Sequence, residues 1–394
     1  MLKLINAHRR YDWGSFDEIP RFLGAPIEPQ PLAEVWMGTH PLDPSYVARD
    51  DTQVPLADVA GELPYLVKIL AARQPLSIQV HPTKEDAAAG FAAEEAAGIP
   101  LDAPERTYKD ANHKPEMMYA LTTFDTLVGF RPTAEIFRVL APIEAEYTQR
   151  LAEQLQETPG FSGIVRLVEA ILSHPPTSTE LDYIAVKCAD LLRQGIDVKR
   201  AYATAVEVAS IHPHDPGVLI SLLLNRLTLQ PGEAAYLGAG VIHAHLKGMG
   251  LEIMATSDNV LRAGLTSKHL DPTGLVKTLD TGMSRVARVT PQMAGPTTDI
   301  FAPGAEDFAL SITQVSRGEP VGVDLPAAGR RILVCTGGDV VVTTESSEKV
   351  ELHRGEAVYV APEDGVVNVA GTGELAQAFE PRTLATTSEL VDLV

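Results

Sequence analysis

The sequence predicts a mainly β protein whose first β region is interrupted by a helical insert and followed by a second β region. Three observations predict it. Short strand-like segments and turns run from the N-terminus to about Arg131. Helical periodicity takes over from Thr133 to about His212. Strand character resumes at Val218 and continues to the end, broken at short intervals by Gly, Pro and Asp turns, as in a sandwich or barrel.

In chain order, Leu66 to Leu70 and Leu76 to His81 read as strands, and the Ala/Glu-rich stretch from Lys84 to Ala97 reads as a helix. In the insert, Ile164, Val165, Leu167, Val168, Ile171 and Leu172 share one face at spacings of three and four. Leu181, Ile184, Cys188, Leu191 and Leu192 do the same. Thr177 with Glu180 forms a capping box that opens this second helix, and Gly195 stops it. Pro213 to Gly217 closes the block. Leu227 to Leu237 then alternates around a turn at Gln230 to Glu233. Later strands fall at Ile332 to Cys335, Asp339 to Thr343, Ala357 to Val360 and Val366 to Val369. A chain of 394 residues exceeds one ordinary core. The expected divisions are 1–131 with 217–285 as one β domain, 132–216 as the insert, and 286–394 as the second β domain.

Hydrophobic residues make up 45% of the chain and charged residues 21%, an ordinary folded balance. The formal net charge of −20 excludes a nucleic-acid surface, because no basic stripe is available to neutralise phosphates. An anionic substrate would need a local cluster of cations within a repelling field. Cys188 and Cys335 fit neither a disulfide framework nor a thiolate zinc site, and read as free thiols in a reducing compartment. The N-terminus lacks the apolar core of a signal peptide, and the longest apolar run, near Gly217 to Leu224, is too short to span a bilayer. A cytoplasmic protein without membrane or nucleic-acid partners is expected.

Three separated segments end in residues that bind divalent metals: Gln79-Val80-His81-Pro82, His113-Lys114-Pro115-Glu116 and His243-Ala244-His245. On a strand, Ser77, Gln79 and His81 share one face while Leu76, Ile78 and Val80 feed a core. An edge strand with a solvated polar face is the alternative. Extended geometry also puts Lys114 and Glu116 on one face, as a metal ligand beside an acid/base lysine or as a surface ion pair. His243 and His245 share a face; both can ligate one metal, or one can ligate while the other contacts substrate. Nitrogen and oxygen ligands without thiolates suit catalytic zinc, and iron or manganese would accept a similar set. Beyond them, Arg262 can hold an oxyanion in bidentate fashion and Lys268 adds a second charge. Asp258 reads either as functional or as the partner of Arg262 in a structural ion pair.

The segments Tyr11 to Ser15, Ala33 to Pro41, Leu76 to Pro82, His113 to Glu116 and Gly240 to Asp271 resemble the type I (zinc-dependent) mannose-6-phosphate isomerases. The resemblance implies a cupin-like fold: a catalytic jelly roll carrying a helical insert, then a second jelly roll without metal. It implies one zinc ion per chain on Gln79, His81, Glu116 and His243, with Arg262 as the active-site arginine. Ser77, Lys114, Glu252, Asp258 and Lys268 would line the pocket, with Trp13 and Glu34 near its rim. Where the family usually has His-Ala-Tyr, this chain has His243-Ala244-His245, and His245 is expected in the sugar pocket. The implied reaction interconverts mannose 6-phosphate and fructose 6-phosphate through an enediol. Glu252 is the first candidate base, with Lys114 and His113 behind it. The rival readings are a cupin-type metal oxygenase and a non-catalytic sugar-phosphate binding protein. A monomer is favoured.

Overall fold

The computed structural model of the protein describes residues 1–49, 52–280, 287–317, 321–326 and 329–383. These residues form two large antiparallel sheets and ten α-helices. The strand His243–Ala255 organises the first sheet. From Gly248 onward it pairs with Tyr65–Ala72 and Glu116–Ala120, and nearer its start with Ile78–Val80 and Phe124–Phe130.

Alternation along these strands sends side chains two ways. Val67, Ile69, Met117, Tyr119, Leu251 and Ile253 enter one apolar cluster with Leu310, Ile332 and Ala378 of the other sheet. The residues between them, Lys68, Glu116 and Glu252, take the opposite face. The register puts Glu252 directly across from Lys68 on one neighbour and from Met118 on the other. Each fully buried Leu, Ile or Val contributes roughly 1.5–3 kcal/mol, and this large shared cluster fixes the register that aligns the charged face.

The second sheet is centred on Arg331–Thr344 and Val367–Phe379. Two strands expected at Ile332 to Cys335 and Asp339 to Thr343 are one, continuing through a bulge at Cys335/Gly337 where Gly338 takes φ 69°. Leu2–Ile5 pairs with Ala357–Val360 and with Tyr46–Arg49, which pairs with Thr52–Pro55. Three early strands therefore belong to the sheet of the late ones. The expected boundary at 285/286 lies outside the described residues.

The insert packs its helices against the back of the first sheet. Ile136, Leu151, Ile164, Leu181 and Tyr202 share a cluster with Ile78, Val80, Leu127, Ile242 and Ala244. The capping box of Thr177 and Glu180 is present at the start of helix Ser178–Arg193. One element differs from expectation: Gly217–Leu223 is helical, and strand begins only at Leu224. All seven residues of that helix are buried, so the segment shows no polar face from which a period could be read. No helix among the described residues is long and apolar enough to cross a membrane.

Asp125 ties the insert to the sheet. Its carboxylate accepts from Arg226 at 2.6 Å and from Arg200 at 3.2 Å, and also from the Thr228 hydroxyl. Burial alone would raise its pKa, but Arg226, Thr228 and Arg200 pull it down to about 2. A depressed carboxyl stabilises above its unfolded pKa near ~4 and loses that contribution as pH falls towards 2. Asp125→Asn is expected to cost roughly 1–3 kcal/mol at neutral pH. Urea midpoints of the two proteins should converge as pH drops below 4.

Candidate active site

The metal-ligand candidates reach the site from both ends of the His243–Ala255 strand. Its first residue, His243, pairs with Gln79, whereas Glu116 opens a neighbouring strand opposite Met254, next to its last residue. His81 Nε2 lies 3.3 Å from Glu116 Oε1, and His243 Nε2 lies 3.3 Å from Glu116 Oε2. All three residues are buried. The far ring nitrogens are anchored: His81 Nδ1 donates to the Asn259 carbonyl at 2.8 Å, and His243 Nδ1 donates to the Val241 carbonyl at 2.9 Å. That fixes the tautomer and turns both Nε2 lone pairs toward Glu116. His81 Nε2 is buried without a hydrogen-bond partner among the described residues. Gln79 donates its amide nitrogen to Ser77 Oγ at 2.8 Å, leaving Oε1 free to coordinate.

These features fit a metal. Two donors about 2.1 Å from a tetrahedral ion stand about 3.4 Å apart, close to both His–Glu spacings. Binding also needs neutral imidazoles and an ionised carboxylate. Burial drops the His81 pKa to about 4. Burial pushes the other way on Glu116, but Lys114, His81 and His243 hold its carboxyl well below the usual range. Lys114 Nζ sits 3.0 Å from Glu116 Oε1 and is itself buried, so this pair is not a surface ion pair.

A cavity of about 2390 Å³ opens in front of this cluster. Trp13, Glu34, Ser77, Gln79, His113, Lys114, Asp258, Arg262 and Lys268 line it. His81, Glu116 and His243 form the layer behind. His245 and Glu252 are also off the cavity wall, each about 5% exposed.

Asp258 pairs with His40 at 3.4 Å rather than with Arg262. Its own burial raises its carboxyl, and His40 more than offsets this. The adjoining residues clamp the loop that leads to Lys114. Ser257 Oγ donates to Asp110 at 2.9 Å, Asn259 Nδ2 donates to the Asp110 and Asn112 carbonyls at 2.8 Å, and Asn259 Oδ1 accepts from Lys109 N at 2.7 Å. Arg262 and Lys268 have no carboxylate partner among the described residues. Desolvation lowers the pKa of both, and for Lys268 the neighbouring Arg262 and Lys109 add to it. Two cations without carboxylate partners thus face this cavity in a chain of net charge −20.

Sequence reasoning missed Lys68, His40 and Asp307. Lys68 Nζ contacts Glu252 Oε2 at 2.8 Å and Glu34 Oε1 at 3.6 Å, and Trp36 donates its indole N–H to Glu34 at 2.8 Å. Burial alone would lower the Lys68 pKa, but Glu252 and Glu34 raise it well above its usual value. Glu252 is raised by burial and pulled down by Lys68, ending at about 2. The signal was present: Lys68 is the one charge in the otherwise apolar run Leu66 to Leu70. Asp307, from the late β region, accepts from His113 Nε2 at 2.8 Å.

Lys68→Met strands Glu252 and Glu34 in a buried site and is expected to cost roughly 3–5 kcal/mol. Adding Glu252→Leu should restore much of that loss, read from urea unfolding of the single and double variants.

The profile for "Phosphomannose isomerase type I, catalytic domain" matches residues 1–133. Mannose-6-phosphate isomerase of Salmonella typhimurium is 36% identical over 399 residues, covering 96% of this chain and 99% of the relative. The Escherichia coli protein of the same name is 38% identical over 400 residues, with the same coverage. A solved Salmonella typhimurium mannose 6-phosphate isomerase, bound to its substrate fructose 6-phosphate and to zinc, superimposes with a TM-score of 0.86 at 33% identity, over 96% of this chain and 99% of that one. Identity at this level along nearly the whole of both chains, carried by the same fold, means that this chain belongs to the mannose-6-phosphate isomerase (phosphomannose isomerase type I) family.

Proposed function

We propose that this protein interconverts mannose 6-phosphate and fructose 6-phosphate, with one zinc ion held by Gln79, His81, Glu116 and His243. One observation carries the reading: a His/Glu/His metal cluster stands behind a cavity whose wall also holds the unneutralised Arg262 and Lys268. Bound there, zinc would polarise the sugar oxygens and favour charge on them. Arg262 and Lys268 bind the phosphate or the enediolate charge.

The reaction moves one proton from C2 of the open-chain aldose to C1, through an enediol. It needs a base that faces the sugar with a pKa near the working pH. Glu252 was the first candidate from sequence. Lys68 holds it at about 2, and it lies off the cavity wall. We assign the role instead to His113. Asp307 accepts from its Nε2–H, which leaves the lone pair on Nδ1 to take the proton. Lys114, beside it on the wall, steadies the developing oxyanion.

The β regions are read as cupin-type jelly rolls, divided at about 131, 216 and 285. The protein works as a cytoplasmic monomer on a small phosphorylated sugar. A metal oxygenase would require oxygen, whereas isomerisation proceeds anaerobically.

The deciding experiment is a coupled assay for fructose 6-phosphate made from mannose 6-phosphate, on chelator-stripped protein given back zinc. Turnover should vanish on stripping and return with zinc, under nitrogen as in air. Bound zinc without turnover would reject the isomerase reading for this substrate. Arg262→Ala should lower kcat/KM by about 10²–10³. Lys268→Ala should act mainly on KM, raising it about tenfold, equivalent to about 1.4 kcal/mol. Steady-state kinetics of both variants separates the two effects.

A further inference from the structure

We propose that Glu116, His245 and Glu252 form a second, weaker divalent-cation site that shares Glu116 with the His81–Glu116–His243 centre. It rests on that centre being a metal site, because the two have a ligand in common.

One ligand atom from each of the three residues lies within 4.8 Å of the others, and all three residues are buried. His245 is 5% exposed, and its Nε2 has no hydrogen-bond partner among the described residues. The other ring nitrogen explains why. Thr126 Oγ1 donates to the Ala244 carbonyl at 3.1 Å and lies 3.2 Å from His245 Nδ1. With its proton committed to the carbonyl, the hydroxyl oxygen accepts from Nδ1–H, which leaves a lone pair on Nε2. Phe124, edge-on at 5.2 Å, fixes the ring plane.

That lone pair faces Glu252 Oε1 at 3.4 Å. Two acceptors aimed at each other in a buried site repel unless a cation stands between them. The spacing matches the 3.3 Å separations at the first centre and the roughly 3.4 Å expected for two donors on one ion. Glu252 can serve because its two oxygens have separate partners. Lys68 holds Oε2 at 2.8 Å and leaves Oε1 to the ion. The same ammonium makes the site weak, since a second dication must enter beside Lys68 and a filled first centre. The donors, one imidazole and two carboxylates, suit zinc, cobalt or manganese.

The test is equilibrium dialysis of the chelator-stripped full chain against increasing free Co²⁺, with bound metal counted by elemental analysis, for the wild type and for His245→Phe. The wild type should bind two ions per chain, the second at least about tenfold weaker than the first. His245→Phe should bind one, with first-site affinity retained. A single ion in the wild type at saturation overturns the second site and leaves the first. A second ion that persists in His245→Phe also overturns it, placing that ion elsewhere on the surface. No bound cobalt at all rejects the first centre together with the second. If His245→Phe does not fold, anomalous diffraction from cobalt-soaked wild-type crystals decides. A second peak within coordination distance of His245 Nε2 supports the site, and a single peak overturns it.

Discussion

The register of the His243–Ala255 strand is the constraint on which the rest depends. Its odd-numbered residues Leu251 and Ile253 lock into the apolar cluster shared with the late sheet. Its residue Glu252 consequently meets Lys68, and its first residue meets Gln79. A slip of one residue would exchange the two faces, burying charge in the shared cluster and turning leucines toward the metal ligands. Apolar packing on one side of a strand thus sets which charges meet on the other.

The electrostatics follow from that layering. Glu116 and Glu252 are brought under the cavity floor, and Glu34, Lys68 and Lys114 reach its wall directly beside them. The ammonium groups keep the carboxylates ionised against burial, so negative charge remains ready for a cation. Farther out, Arg262 and Lys268 stay without acidic partners among the described residues, and their charge is left for a ligand. A strongly acidic chain can hold an anionic sugar because these cations are fixed at one wall while the excess carboxylates are distributed elsewhere.

Much of this was legible in the residues. Alternation in Ser77 to His81 placed Gln79 and His81 correctly relative to a core, because period two survives in a strand with one polar face. The i, i+2 spacing of Lys114 and Glu116 likewise translated into a 3.0 Å contact. What failed was of two kinds. Gly217–Leu223 is buried on every side, so it has no periodicity to read. The remaining misses are non-local. Nothing near His113 announces Asp307, nothing near Asp258 announces His40, and nothing in Leu2 to Ile5 announces a partner at Tyr359. Lys68 was the exception, a lone charge in an apolar run whose oddity was itself the signal.

The pairing of Leu2 with Tyr359 also bears on how the chain is made. Once made, Leu2–Ile5 waits for a partner some 350 residues later, which at 5–20 residues per second is roughly 20–70 s. Through that interval the edge of Leu2–Ile5 that faces away from Tyr46–Arg49 is open. Edges of this kind recruit other strands. That edge is therefore covered only once Ala357–Val360 has been made, and products truncated before it would expose an adhesive strand at Leu2–Ile5 although Gln79, His81, Glu116 and His243 were already present.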